Sequence, residues 1–378
     1  MKSALIPETG CEALSATELK KRFAINSTIQ NTYPLFEAEP EKLIEIAYMT
    51  QSAKRILITL STGTFNGTLE GLKLSIQKNM DQETLKIIQG KTFKTECERN
   101  GEHEFSSVHV EQATGLIIEE IMPETIVDLK NPEIKLYLNI NQNNYLLGID
   151  IIGKDLSKRQ YRLFNHPNNI KGTIAFNLLI FSEYEPGMTL IDPFSLSGDI
   201  PIEASLYLSN ISPRYYEKKM DAEKMSLFKN INNIIEKLDK KIKKQEPTPK
   251  IHSFDPSFKN ISAQKKNAKI AGIEKCISYS RSDLKDVDLK FEKNTVDIVV
   301  GRIIEPSKHI TENKATKIQE EFLNNIKHII KKKGTINLVV REPQKIIETA
   351  NKQGFKTIKK LNIKQGKQEL TFIKLIKI

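Results

Sequence analysis

The C-terminal half of the chain constrains the fold most, because short apolar strands alternate there with amphipathic helices. "MTLIDPF" reads as a buried strand, "IPIEASLYLS" as a helix that tolerates Pro201 in its first turn, and "KIHSFDPS" as a strand ending in an acid. "SFKNISAQKKNAKIAG" reads as a helix stopped at Gly272. "CISYSRSD" and "VDIVV" are further strands, "TKIQEEFLNNIKHIIKKKG" is a helix, and "GTINLVVRE" is a strand. Such alternation specifies a parallel, doubly wound sheet. The end of the chain departs from it. "FKTIKKLNIKQGKQELTFIKLIKI" is two alternating strands around "KQGKQ", an antiparallel hairpin at a sheet edge.

Upstream the pattern is mixed. "SATELKKRF" predicts a helix capped by Ser15 or Thr17, and "KLIEIAYMTQSAKRIL" a second helix, followed by a strand at "RILITLST". "TLEGLKLSIQKNM" and "SSVHVEQATGLIIEEIM" predict amphipathic helices, with "KTFKTECE" as the strand between them. "EIKLYLNINQNNYLLGIDII" predicts a hairpin turning at Asn141 to Asn144. "TIAFNLLIFS" predicts a helix, and residues 218–247 a long lysine-rich helical stretch ending at "KKQEPTPK".

A chain of 378 residues suggests two or three domains. With 39% hydrophobic residues and no run of about 20 apolar ones, it is expected to span no membrane. The start lacks the apolar segment of a signal peptide, so a cytoplasmic protein is expected. Cys11, Cys97 and Cys276 form neither a disulfide framework nor a metal pattern. The six histidines show no ligand spacing, so no metal is expected. The net charge of +11 is unevenly spread: residues 1–150 hold 15 Lys and Arg against 21 Asp and Glu. All of the basic excess lies beyond them, much of it between Lys218 and Lys275.

Several spaced elements together resemble the THUMP-domain class I RNA methyltransferases that modify N2 of guanine in tRNA or rRNA. The elements are "KTFKTECERNGEHEFSS", "VDLKNPEIKLYLNI" and "GKDLSKRQYR". Within them Phe93, Arg99, His103, Phe105, Ser106, Asn131, Pro132, Gly153 and Leu156 fit the family pattern. The resemblance implies an α/β chain in three parts. Residues 1–60 are a ferredoxin-like α+β domain, 61–165 a THUMP RNA-binding domain, and 166–378 a Rossmann-like class I methyltransferase domain with its antiparallel edge hairpin. RNA, tRNA in particular, is the implied partner. Lys91, Lys94, Arg99, Lys158, Arg159 and Arg162 are then candidate phosphate contacts, and Tyr161 a candidate base-stacking ring. Tyr161 and Phe105 as core aromatics, with Arg159 and Arg162 bracing a domain junction, is the competing reading.

By the same resemblance "DPFSLSGDIPIEA" is an S-adenosylmethionine loop, with Asp192, Pro193, Ser197 and Gly198 at the cofactor. Asp255 would take the ribose hydroxyls and Asp283, in "SRSDLKD", the adenine amino group. Three positions depart from the family: Ser195 for Cys, Leu196 for Gly, and Asp199 for Thr. The Asp199 carboxylate is expected to cap the helix internally, in the positive field the methionine carboxylate would use.

The catalytic motif departs further. After "VDIVV" the family has Asn-Pro-Pro-Tyr or a close variant. Its Asn oxygen and a proline carbonyl accept the guanine amine's hydrogens while the ring stacks on the base. This chain has Arg302, Ile303, Ile304 and Glu305 there. Arg302 donates only, no aromatic follows, and Glu305 alone could take a proton. Two readings follow. One is an RNA-binding member impaired in catalysis, possessing no required cofactor and working with a protein partner that supplies or regulates activity. The other is an active S-adenosylmethionine-dependent tRNA (guanine-N2) methyltransferase with an unusual site. A pocket for another nucleotide-like ligand is a third, weaker idea.

Overall fold

The computed structural model describes residues 1–243, 250–283 and 286–378. Its N-terminal part is built on β1 (Lys2–Pro7), α1 (Glu12–Phe23), β2 (Thr28–Gln30), β3 (Tyr33–Glu37), α2 (Pro40–Met49) and β4 (Ala53–Thr64). There follow α3 (Leu69–Lys78), the short α4 (Gln82–Leu85), β5 (Thr92–Asn100), α5 (Ser107–Ile121), β6 (Ile126–Val127), β7 (Ile134–Asn141) and β8 (Asn144–Asp150). These strands form one eight-stranded sheet in the order β2-β3-β1-β4-β8-β7-β5-β6. β4 runs across residue 60, so the segments on either side of it share a sheet.

The C-terminal part contains α6 (Gly172–Phe181), β9 (Leu190–Asp192), α7 (Asp199–Ser209), α8 (Ile231–Asp239), β10 (Ile251–Asp255), α9 (Phe258–Ile270) and β11 (Ile277–Arg281). β12 (Val296–Arg302), α10 (Glu312–Ile329), β13 (Ile330–Val340), α11 (Pro343–Lys352), β14 (Phe355–Gln365) and β15 (Gln368–Lys377) complete it. The seven strands lie in the order β11-β10-β9-β12-β13-β15-β14. β9 to β13 pair in parallel, and the β14–β15 hairpin is antiparallel at the edge. The doubly wound sheet with its terminal hairpin is therefore observed. The strand order reverses at β9, and a ligand crevice forms outside such a switch point at the strands' C-terminal ends.

Local differences from the sequence reading have physical causes. Helix α1 starts one turn before Ser15, because Gly10, at φ 90°, turns the chain and its N–H donates to Glu12 Oε1 at 2.9 Å. Ser15 and Thr17 therefore lie inside the helix, and neither caps it. α2 stops at Met49, and residues 50–52 form a turn rather than more helix. The buried Glu18 carboxylate holds that turn, accepting from Thr50 Oγ1 (2.7 Å), the Gln51 amide (3.0 Å) and the Ser52 amide (3.1 Å). The Lys-Lys-Lys run at 331–333 is strand, not helix, since β13 already begins at Ile330.

The lysine-rich stretch is not one long helix. Residues 221–224 form a single tight turn, α8 covers only Ile231–Asp239, and residues 244–247 lie outside the described part. Its apolar side chains explain the break. Met220, Ala222, Met225, Phe228, Ile231, Ile235 and Leu238 are buried in the core of the N-terminal part, so the chain bends to follow that surface. Among the described residues, no helix is long and apolar enough to cross a membrane.

Candidate functional site

The crevice at the switch point is bounded by the loop from Asp192 to Asp199. β9 ends at Asp192, whose Oδ1 accepts the Phe194 amide at 3.0 Å. The turn then uses two left-handed residues, Leu196 (φ 50°) and Gly198 (φ 89°), before α7 begins. Gly198 supplies that conformation freely, whereas a leucine incurs about 1–2 kcal/mol of steric cost there. The backbone thus retains the shape a glycine would give, with an apolar side chain added at the rim.

Neighbouring side chains fasten the loop. The Leu196 amide donates to Asp255 Oδ2 at 3.2 Å, and its carbonyl accepts from Gln264 Nε2 at 2.9 Å. Asn267 Nδ2 donates to the Ser197 carbonyl at 3.1 Å, and Asn169 Nδ2 donates to Ser197 Oγ. Pro193 is buried in the same turn. Asp255 also accepts from the Ser257 amide at 2.8 Å, and Asn260 Nδ2 lies 3.0 Å from each of its oxygens. Each carboxylate oxygen is thereby occupied by donors of the chain itself.

Asp199 differs from the expectation. Its carboxylate lies against the Arg162 guanidinium, 2.8 Å from Nε, instead of capping the helix, whose N-cap is Gly198. Burial pushes the Asp199 carboxyl up to about 6, with Arg162 opposing the shift and Glu203 adding to it. Burial pushes Asp192 further, to about 8, and the Asp255 and Asp199 carboxylates add to it. Asp255 is raised as well, again chiefly by burial. Asp283 is exposed just beyond β11; residues 284–285, within "SRSDLKD", lie outside the described part.

At the end of β12, Arg302 reaches across the crevice mouth. Its Nη1 donates to the Asn168 carbonyl at 2.8 Å and lies 3.5 Å from that of Asn169. Residues 163–170 thus form a strap held by Arg302 on one side and by Asn267 on the other, which pairs with the Phe164 amide and carbonyl at 3.0 Å each. Ile303 is core and Ile304 packs against the same cluster. Glu305 is engaged rather than available to a substrate proton. It accepts the Arg341 amide at 2.7 Å, the Glu342 amide at 3.0 Å and Arg341 Nε at 3.1 Å.

The chain belongs to the RMKL-like methyltransferase domain family. That family matches residues 159–371, which hold the crevice and both altered motifs, and a THUMP domain matches residues 73–150. A tRNA (guanine(6)-N2)-methyltransferase of Methanocaldococcus jannaschii is 26% identical over 94% of this chain and 95% of its own length. A ribosomal RNA large subunit methyltransferase K/L of Alteromonas mediterranea is 27% identical over 66% of this chain and 36% of its own. Among solved structures, the putative methyltransferase SMU.472, complexed with SAH, superposes over 100% of this chain and 98% of its own, with a TM-score of 0.81 at 18% identity. TrmN from Thermus thermophilus covers 100% of this chain and 99% of its own, with a TM-score of 0.71 at 18% identity. The class I methyltransferase fold follows from these superpositions.

Within this THUMP–methyltransferase framework the candidate RNA contacts separate into two groups. Arg159 is only 6% exposed and Tyr161 only 3%. Arg159 donates to Glu203 Oε1 (2.7 Å), Glu203 Oε2 (3.2 Å), the Leu156 carbonyl (2.7 Å) and the Gln51 carbonyl (2.6 Å). Tyr161 Oη donates to Glu203 Oε1 at 2.7 Å. With Arg162 on Asp199, Arg159 and Tyr161 are engaged and buried within the chain, and Arg162 is half-buried. Lys91 pairs with Glu133 at 2.9 Å, and Lys94 is half-buried. Arg99 lies beside His103 Nδ1 at 3.1 Å and over the Phe105 ring. Lys158 is exposed.

The sequence reading missed Asn169, Asn260, Gln264, Asn267 and the hub Glu203. A signal existed for two of them. Gln264 and Asn267 share the buried face of α9 with Ile261 and Ala268, and polar residues on an apolar helix face need partners.

Proposed function

We propose that this chain is an RNA-directed protein of its family, acting on tRNA in the cytoplasm, in which methyl transfer is impaired. The same reading divides the sequence into a ferredoxin-like part to residue 60, a THUMP part to residue 165 and a methyltransferase part beyond, the first two sharing one sheet through β4. One observation carries it: the position that must accept the substrate amine's hydrogens holds Arg302, a donor already bonded to the Asn168 carbonyl. The crevice supports the reading too. S-adenosylmethionine needs an open acid for its ribose hydroxyls, and both oxygens of Asp255 are taken by Asn260 and by backbone amides. As they stand, these residues do not fit the cofactor. Holding RNA for a protein partner is the role such a chain would serve.

The second reading is an active tRNA (guanine-N2) methyltransferase using S-adenosylmethionine. The comparisons favour it over impairment, since a relative bearing that activity in its name matches along almost the whole length of both chains. Asp192, Gly198 and Asp255 also stand where the family's cofactor contacts stand.

Calorimetry with S-adenosylmethionine, followed by tritium-methyl transfer to unmodified tRNA, separates the two. The first reading expects neither micromolar cofactor binding nor label in the RNA. Micromolar binding together with incorporated label would establish the second. On either reading the chain binds tRNA, with an affinity that falls as salt rises. A salt-independent affinity would reject phosphate contact.

A further inference from the structure

With Arg159, Tyr161 and Arg162 committed to the domain junction, a tRNA-binding chain needs its cations elsewhere. The N-terminal part offers few, because it holds more acidic than basic side chains. The arm from Pro213 to Lys243 is different. Its apolar side is buried in the N-terminal core, as Phe228, Ile231, Ile235 and Leu238 show. Hydrogen bonds also fix it: the Ala222 amide donates to the Ile151 carbonyl at 2.9 Å, and Tyr48 Oη donates to Asp239 Oδ1 at 2.8 Å. The arm is therefore docked, and the geometry of whatever it displays is set.

Its outer side is cationic and aromatic. Lys237, Lys240, Lys241 and Lys243 are exposed at and just beyond the C-terminal turn of α8. Next to them, Lys218 pairs with Asp239 and lies 5.1 Å from the centre of the Tyr215 ring. Tyr215 meets Tyr216 edge-on at 4.9 Å, and Tyr216 is 67% exposed. An open depression is lined by Tyr215, Tyr216, Lys218 and Lys219 together with Glu217, whose carboxylate is paired with Lys154. Clustered exposed lysines beside an exposed ring are the parts from which single-stranded nucleic acid is held: cations for phosphates and a π-face for a base.

We infer that this lysine face of the arm, with Tyr216, is a phosphate- and base-binding surface for the RNA. The inference rests on the RNA reading above and assigns it a location. The surface belongs to the methyltransferase part of the sequence yet is seated on the N-terminal core, so RNA held there registers against both.

The test is fluorescence anisotropy of the full chain with an unmodified tRNA transcript over a series of salt concentrations. Four chains are compared: wild type, K237Q/K240Q/K241Q, a control of equal charge change, K333Q/K352Q/K356Q, and Tyr216→Ala. The control lysines are exposed and lie on β13, α11 and β14, in the other half of the C-terminal sheet. The arm variant is expected to bind at least tenfold more weakly. Its log K against log salt should be shallower by roughly two to three, while the control keeps the wild-type slope. Tyr216→Ala is expected to weaken binding by about 5- to 100-fold. If arm and control variants shift alike, or neither shifts, the inference is overturned while the RNA reading stands. If the wild type does not bind tRNA, both fall.

Discussion

Arg159 grips Glu203 at two points, Nε to Oε1 at 2.7 Å and Nη2 to Oε2 at 3.2 Å, in the buried junction between the two sheets. Gln51 Nε2 adds a third bond to Glu203 Oε2 at 2.7 Å, from the turn that ends α2. Glu203 lies on α7, whose first residue closes the crevice loop, so one helix joins the crevice to the domain junction. Truncating one partner strands a buried charge. Arg159→Ala is expected to lose about 3–5 kcal/mol of stability in chemical denaturation. Replacing the pair with apolar residues of similar volume, Arg159→Met with Glu203→Leu, should cost much less. Equal losses from the single and double variants would refute this account. The slope of tRNA affinity against salt should stay unchanged in Arg159→Ala, because the guanidinium meets no phosphate.

Leu196→Gly tests the crevice rim. Glycine removes the left-handed strain of about 1–2 kcal/mol but adds about 1 kcal/mol of chain entropy cost. Stability should therefore change by less than about 1 kcal/mol. The side chain's removal should raise S-adenosylmethionine affinity by about tenfold or more in calorimetry, equivalent to about 1.4 kcal/mol. Adding Asp199→Thr should raise it again by removing a carboxylate near the expected methionine position. If neither variant gains affinity, the obstruction lies instead at Asn260 and Arg302.

Asp192 gives a pH signature. Its folded pKa of about 8 lies above that of an unfolded aspartate, so the folded chain binds the extra proton between those values. Stability from this group is full at acid pH and is lost as pH rises from about 4 toward 8, by up to about 1.4 kcal/mol per pH unit. The facing groups are Asp199, raised to about 6, and Asp255, raised as well, chiefly by burial. Asp192→Asn should flatten the decline between pH 5 and 8 in denaturation curves. An undiminished slope in the variant would assign the decline to other groups.

The sequence carried the strand–helix alternation and the edge hairpin because each depends on local periodicity. It did not carry β1 and β3, which pair with each other, and β1 with β4, only when the sheet assembles. The altered motifs were visible as substitutions: Leu196, Asp199 and Arg302 stand in fixed spacings. What they do was not visible, since Asp199 finds Arg162 and Arg302 finds Asn168 only through long-range packing. Arg159 and Tyr161 show the same limit from the other side. An arginine and a tyrosine in a basic motif read equally well as RNA contacts or as braces. The buried Glu203 that engages both lies more than 40 residues away along the chain.

Gly10 tests the contact between the N-terminal part and the edge hairpin. A Cβ there would sit 2.2 Å from the Asn362 carbonyl oxygen and 2.9 Å from Ile363 Cα, both backbone atoms that no side-chain rotation can move. Its φ of +90° adds conformational strain for any other residue. Gly10→Ala is expected to cost about 2–4 kcal/mol and to lower the melting temperature accordingly. Gly366→Ala is the comparison: φ is +60° but nothing lies within 4 Å of the added Cβ, so only the strain of about 1 kcal/mol remains. Limited proteolysis should find the β14–β15 hairpin cut faster in Gly10→Ala, because the Lys364 amide then loses its 2.9 Å bond to the Thr9 carbonyl. If the two variants melt alike, the clash contributes nothing and the hairpin is not anchored by this contact.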